Sequence, residues 1–389
     1  MYFCLKLQKK LPQEISLTSL STFSPLGKDP GSIWQSYKKA DPLFEKRGDW
    51  VCSLEETLNG FIDELNEEKQ YRELDRSVKL AILAARGLEL DAQMSPARIG
   101  INIGSSRGAT ALFEHYYGQF STERKVETLA SPTTTLGNIS SWVAQDLAIE
   151  GIAMSHSVTC SSASNALLNG VAWIRAGMAD GFIAGGSEAP LTEFTMAQMK
   201  AIKLYSSEDS TRACRSMDMD KSRNSMVLGE AAGLAMLQAG RRADALAVID
   251  GIGFAGEQLT HAVSLSEDGL CLQRSMEQAL KSANRSEVDA IVLHAPGTVK
   301  GDRAEIRAVN KVFEGRMPLL TSNKWLIGHT LGASGLMNIE MAVMMLRHQE
   351  FIPNPFFKNE NSSSEPLRSI MVNAVGFGGN AVSIILGKP

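Results

Sequence analysis

Apolar positions along the chain fall into short runs, separated by longer stretches in which they recur at helical spacing. Residues Ile15 to Phe23 predict a strand that leads into the turn Ser24-Pro25-Leu26-Gly27. Residues 66–87 are charged at first and then amphipathic, with Leu74, Val78, Ala81, Ile82 and Ala85 at the spacing of a helix. Ile99 to Ile103 predicts a buried strand closed by the loop Gly104-Ser105-Ser106-Arg107-Gly108, and Ser131 to Ile149 predicts a helix through Ile139, Trp142, Val143 and Leu147. Ala153 to Val158 predicts a strand, Thr159-Cys160-Ser161-Ser162 a turn, and Ala163, Ala166, Leu167, Val171 and Ile174 the helix after it. Phe182 to Ala184 predicts a further buried strand that ends at Gly185-Gly186.

The second part of the chain repeats the theme. Ala245 to Gly253 reads as a strand, Leu272 to Ser282 as a helix, and Ala290 to Leu293 as a strand ending at His294. A loop to Gly328-His329 precedes the helix Gly332 to Arg347. Ile370 to Val375 and Val382 to Leu386 predict a strand pair around Gly376-Phe377-Gly378-Gly379. Alternating strands and helices define an α/β architecture with largely buried sheets. The two successive sets, before and after about residue 240, suggest duplicated halves, and the polar stretches 206–212 and 359–365 read as surface loops.

Composition narrows the class. The 389 residues are 44% hydrophobic and 21% charged, enough for a sizeable core in two domains or one duplicated fold. Lys+Arg number 39 against 43 Asp+Glu, a net charge of −4, which argues against a general nucleic-acid binder. The first residues, Met1 to Pro12, lack the continuous apolar core of a signal peptide. No window reaches the roughly 18 uninterrupted apolar residues of a membrane span, so a cytoplasmic protein is expected. The cysteines, Cys4, Cys52, Cys160, Cys214 and Cys271, are odd in number and scattered without a CxxC pair. That pattern argues against a disulfide framework and a zinc knuckle, and for a reducing compartment.

Cys160 is the cysteine with a chemical setting. At the start of a helix it faces unpaired backbone N–H groups and the positive end of the helix dipole, which favour the thiolate and predict a lowered pKa. The competing reading is a small buried hydrophobe. His294 and His329 each follow a predicted strand or loop end and are accompanied by glycines, where functional groups collect in open α/β sheets. A lone histidine after a strand is more often structural, but two flanked by glycines, together with a poised cysteine, weaken that reading. Two candidate histidines without a carboxylate at ligand spacing make no metal site. Gly376-Phe377-Gly378-Gly379 is either a tight hairpin or a backbone N–H offered to a substrate oxygen.

Taken in order, these segments resemble the β-ketoacyl-[acyl-carrier-protein] synthase family, of the condensing-enzyme (thiolase-like) superfamily and the Cys-His-His type. The resemblance runs from about Ile15 to Leu386. Its motifs are Ser24-Pro-Leu-Gly27, Val158-Thr-Cys160, Ala184-Gly-Gly-Ser-Glu188, Val227-Leu-Gly-Glu-Ala-Ala-Gly233, His294-Ala-Pro-Gly-Thr298 with Gly301-Asp302 and Glu305, Lys324, Gly328-His329 and Gly376-Phe-Gly-Gly379. The resemblance implies a five-layered αβαβα fold of two duplicated halves, usually dimeric. Residues 1–240 would carry the nucleophilic cysteine, and residues 241–389 the His/His/Lys and glycine-rich loops. Cys160 would take an acyl chain from a carrier-protein thioester, and His294 and His329 would stabilise the enolate formed when a malonyl thioester loses carbon dioxide. Lys324 would supply positive potential. Backbone N–H groups of Cys160 and Phe377 would hold the tetrahedral oxyanion, with Phe377 gating the acyl pocket, and Thr298 would help hold the pantetheine arm.

The same resemblance implies an acyl carrier protein as partner, and a homodimer or a heterodimer with a related chain-length subunit. No cofactor of its own is implied, because phosphopantetheine arrives on the carrier. Lys69 and Arg72 match the family's docking stretch, and Arg124 and Lys125 form a second basic pair; the alternative is solvated surface charge. Several positions depart from the family. Ala295-Pro296 stand where elongating members have Gly-Thr, Asn338 stands where many have glutamate (Glu340 comes two positions later), Asn380-Ala381 replace Thr-Asn, and Asn224-Ser225-Met226 replace Asp-Gly-Phe. These departures suggest a divergent branch serving specialised polyketide, polyene or pigment-like chains, not necessarily housekeeping fatty acid synthesis. The rivals are a non-catalytic chain-length-determining subunit of the same fold and a CoA-dependent thiolase. The latter usually needs a second cysteine near the C-terminus, whereas the last one here is Cys271.

Overall fold

Buried on both faces, the apolar runs form the strands of one large mixed sheet. The computed structural model describes residues 14–136, 138–258, 265–359 and 365–389. Across the sheet the strands lie in the order Leu319–Thr321, Ala290–Val292, Ser369–Gly376, Asn380–Gly387, Ala247–Gly256, Ile15–Phe23, Ala231–Ala239, Gly181–Glu188, Ile99–Gly104 and Ala153–His156.

This sheet is two five-stranded sets with one topology. Numbered along the chain within its own set, each reads 3-2-4-5-1 from the outer edge inward. In each set the three outer strands run parallel and the last two pair antiparallel. The sets meet where Ile15–Leu17 pair antiparallel with Ala247–Ile249. Between them lie the helices Ser162–Arg175 and Ser334–His348, each packed on strands of both sets. Every residue of the second helix from Ser334 to Leu346 is buried. Arg76–Arg86 covers one outer face and Leu270–Ser282 the other, which completes the helix–sheet–helix–sheet–helix layering of the thiolase-like fold. Among the described residues no helix is long and apolar enough to cross a membrane.

Several predicted elements change their bounds. The amphipathic stretch 66–87 is a turn followed by the helix Arg76–Arg86, because the Asp75 carboxylate accepts from the Ser77 N–H at 2.8 Å and starts the helix there. Residues 131–149 split into Ala130–Thr134 and Asn138–Asp146. Asn138 Nδ2 donates to the carbonyls of Pro132 and Thr133 (both 3.1 Å) and so closes the first piece. The strand at 182–184 extends through its glycines to Glu188, since Gly185 and Gly186 pack directly on the backbone of Gly233 and Gly332. Cys52, Cys160, Cys214 and Cys271 are free and buried. Cys4, His261 and most of the polar stretch 359–365 lie outside the described residues.

Candidate active site

Three loops converge, leaving the carboxyl ends of the strands Ala153–His156, Ala290–Val292 and Leu319–Thr321. The first leaves the strand Ala153–His156 and turns at Thr159, whose φ of 49° is unusual for a β-branched residue. Hydrogen bonds hold that conformation. Ser162 Oγ accepts from the Val158 N–H (2.9 Å) and donates to the Thr159 carbonyl (2.6 Å), Ser161 Oγ donates to the Val158 carbonyl (2.9 Å), and Thr159 Oγ1 donates to the Phe377 carbonyl (3.1 Å). Cys160 follows, next to the Ser161 cap of the helix Ser162–Arg175. Glycine is required opposite: a Cβ on Gly376 would lie 2.1 Å from Thr159 Oγ1.

The second loop carries His294. Glu305, from the helix Val299–Val312, accepts the His294 N–H (3.0 Å) and the Ala295 N–H (2.8 Å), and Ala295 sits at φ 26°. The third carries His329. Its N–H donates to the Val227 carbonyl at 2.7 Å, its carbonyl accepts from Gly229, and Leu331 just beyond has φ 40°. Each of the three candidate residues thus stands within two positions of a strained non-glycine residue, a feature concentrated at functional sites.

The two imidazoles meet edge to face with centroids 5.1 Å apart. Among the described residues, Nδ1 of each is buried without a hydrogen-bond partner. Burial, reinforced by the charge of Lys324, pushes His294 down to about 3. His329 falls well below its ordinary value through burial first, then through His294 and Lys324. Both rings are therefore neutral at physiological pH and able to donate an N–H.

Lys324, also fully buried, donates from Nζ to Asn338 Oδ1 (2.7 Å) and Asn323 Oδ1 (2.9 Å). Burial lowers it to about 8, against the opposing pull of Glu305. Glu340 has no part in this contact. It accepts from Tyr37 (3.1 Å) and Thr22 instead, and burial lifts it to about 7.

The Cys160 thiol corrects an expectation. Its own backbone N–H and that of Phe377 both favour the thiolate, and so does Lys324. Yet burial, followed by the nearby Glu188, outweighs them and pushes the thiol up to about 12. Desolvation of the buried thiolate thus outweighs the favourable helix start. The convergence of two backbone N–H groups on one sulfur is nevertheless the geometry that would receive an oxyanion on an acyl carbon bound there.

Glu188 is a site residue whose role sequence reasoning missed, although its motif was visible. Its carboxylate accepts from Ser105 Oγ (3.1 Å) and from the N–H groups of Ser106 (2.6 Å), Arg107 (3.1 Å) and Gly332 (2.9 Å), tying two loops together, and burial raises it to about 7. Asn323, likewise unsuspected, shares Lys324 with Asn338.

A cleft of about 1110 Å³ joins these groups, lined by Cys160, His294, His329, Phe377 and Thr298. Thr298 also caps the helix Val299–Val312, accepting from the Gly301 N–H at 3.2 Å. Lys203, Arg223, Lys300, Arg303 and Arg307 bring positive charge to the same cleft from three separate segments, and all five are exposed. The basic residues singled out from the sequence lie elsewhere. Lys69 and Arg72 sit on an exposed turn among Glu67, Glu68 and Glu73, and Arg124 stacks over Phe120 at the end of the helix Thr110–Glu123, next to Lys125. None of the four lines the cleft. Among the described residues no three metal-binding side chains stand together.

A buried thiol and two neutral imidazoles thus share one cleft, beside a buried lysine, in a duplicated α/β fold. Residues 13–243 match the N-terminal domain of the β-ketoacyl synthases and residues 246–358 the C-terminal domain. The chain belongs to the β-ketoacyl synthase family. It is 27% identical to the 3-oxoacyl-[acyl-carrier-protein] synthase 2 of Staphylococcus aureus (strain COL), over 97% of this chain and 98% of that one. Among solved structures it is similar to the ishigamide ketosynthase/chain length factor (TM-score 0.84, 19% identity, 97% of this chain and 100% of that chain). It is also similar to a type II polyketide acyl-carrier protein complex with its ketosynthase (TM-score 0.83, 19% identity, 97% and 100%).

Proposed function

We propose that this chain is a catalytically competent β-ketoacyl synthase that extends an acyl chain by decarboxylative condensation, in fatty acid or specialised polyketide- or polyene-type synthesis. The observation that carries the reading is the single cleft that brings Cys160, His294, His329 and Phe377 together, where the backbone N–H groups of Cys160 and Phe377 favour the thiolate.

Cys160 attacks the carbonyl of an acyl thioester. Its proton passes to the departing carrier thiol, leaving the acyl group on sulfur. The raised thiol pKa means that the proton leaves as the C–S bond forms, not beforehand. A malonyl thioester then enters. Its carboxylate leaves as carbon dioxide, and the electrons of the broken C–C bond move onto the thioester oxygen as an enolate. His294 and His329, neutral donors held down by burial, stabilise that charge. The enolate carbon attacks the acyl-Cys160 carbonyl, the two backbone N–H groups hold the oxyanion, and the sulfur departs and is reprotonated. Lys324 supplies positive potential behind the histidines.

The partner we infer is an acyl carrier protein, and no cofactor beyond its phosphopantetheine is required. Thr298 at the helix start would meet the pantetheine arm. Lys203, Arg223, Lys300, Arg303 and Arg307 suit its phosphate and the acidic carrier better than Lys69, Arg72, Arg124 and Lys125, which would act only as outlying contacts. We take residues 1–240 and 241–389 as the two halves, the assembly as a homodimer or a heterodimer with a related subunit, and the cytoplasm as its location. A chain-length-determining subunit without activity is the second reading, prompted by the ketosynthase/chain length factor likeness. The retained Cys160, His294, His329 and Lys324 weigh against it. Incubation with an acyl-carrier and a malonyl-carrier thioester tests the proposal: a product two carbons longer with release of carbon dioxide supports it, and carrier-bound substrates left intact refute it.

A further inference from the structure

The cleft wall beside Cys160 is rich in thioethers. Met199, from the helix Glu193–Ala201, and Met226 line the cleft with Tyr205, Leu331 and Phe377, while Met196 packs against the same apolar cluster. Met196 and Met199 stand three residues apart on that helix and so share a face. Met226 is fixed by its backbone, which donates to the Leu204 carbonyl (3.2 Å) and accepts from the Ser206 N–H (2.8 Å) beside Tyr205. The Tyr205 hydroxyl is committed to the Trp50 carbonyl at 2.6 Å, so that residue serves the cleft through its ring. At 226 the chain has methionine where the family it resembles usually has phenylalanine.

Leucine or isoleucine would offer an acyl chain the same gain on leaving water, which scales with apolar area. Methionine adds a polarisable sulfur that is attracted to π-systems, and an unbranched side chain that can conform to a rigid planar group. Tyr205 and Phe377 add ring contacts of the same preference. A saturated chain gains only the apolar burial from these side chains. We propose that Met199 and Met226 make the acyl pocket of Cys160 selective for chains carrying a π-system, conjugated double bonds or an aryl group, over saturated chains of equal length. This rests on the acyl-transfer reading of Cys160 given above.

The test compares hexa-2,4-dienoyl and hexanoyl pantetheine thioesters, and cinnamoyl and 3-phenylpropanoyl thioesters, as donors to the full chain, with acylation followed by intact mass. Each rate ratio is divided by the same ratio for a free thiol, N-acetylcysteine, which removes the lower intrinsic reactivity of conjugated carbonyls. The corrected preference for the conjugated donor is expected to exceed about threefold, the scale of one sulfur–π contact. It should fall toward one in Met199→Leu and Met226→Leu, which conserve volume. A corrected ratio near one in the wild-type chain, or a preference that survives both substitutions, overturns the proposal while leaving acylation of Cys160 intact. Absence of acylation from every donor overturns the reading beneath it.

Discussion

Lys324 Nζ donates a 2.7 Å hydrogen bond to the side-chain oxygen of Asn338, and Asn338 Nδ2 donates in turn to the carbonyls of Leu293 (3.1 Å) and Asn373 (3.3 Å). A neutral amide therefore anchors a buried ammonium. Burial lowers Lys324 from 10.5 to about 8, so the folded protein releases this proton early and the ammonium disappears as pH rises through about 8. Condensation should fall along an alkaline limb near that pH, approaching tenfold per unit beyond it. Asn338→Asp sets an anion against Nζ and should move the limb upward by a unit or more. The same change removes two donors from buried carbonyls and should cost about 1–3 kcal/mol of stability. Paired pH–rate profiles and denaturant unfolding curves check both outcomes.

The resting thiol of Cys160, pushed up to about 12, should behave unlike an activated cysteine. Alkylation by iodoacetamide is expected to rise about tenfold per pH unit from pH 7 to 9 without a plateau, because only the scarce thiolate reacts. A plateau below pH 8 would mean that the two backbone amides and Lys324 outweigh burial after all.

Ala295 holds φ 26° between His294 and Pro296, a conformation that glycine adopts without a Cβ penalty. Ala295→Gly should relieve that strain, but it deletes a core methyl and raises unfolded-state entropy, so the net change in stability should stay within about 1 kcal/mol. Thermal unfolding of the variant beside the wild type reads the difference directly.

Glu340 is buried with two hydroxyl donors, Thr22 and Tyr37, and burial raises it from 4.5 to about 7. The folded state therefore binds its proton more tightly than the unfolded state. Its contribution is fully present below about pH 4.5 and is lost as pH rises through 7, at up to about 1.4 kcal/mol per unit. Glu340→Gln removes the titration. The stability of the variant relative to wild type should climb between about pH 4.5 and 7 and level off above; a constant offset would show that the folded carboxyl is not raised.

Much of this site could be read from the chain because its parts are local. A short apolar run closed by small residues marks the strand and turn before Cys160, and similar punctuation marks His294, His329 and the turn at Phe377. What could not be read depends on contacts distant in sequence. Solvent exclusion around Cys160 comes from packing of both halves, so helix-terminus logic alone gave the wrong sign for its pKa. The Glu188 cradle draws donors from positions 105–107 and 332, and the basic side chains of the cleft come from segments at 203, 223 and 300–307. Glu340 stands only two positions beyond Asn338, which holds Lys324. The fold instead turns it to Tyr37 and Thr22, three hundred residues earlier in the chain.

Covalent acylation of Cys160 is the step from which everything else in this account follows. Incubating the protein with a set of acyl-carrier thioesters and recording its intact mass measures that step directly. The expected result is an increase equal to one acyl group, located by peptide mapping on Cys160 and absent from Cys160→Ala. An adduct that persists in Cys160→Ala, or no adduct from any donor with the fold intact, would contradict it.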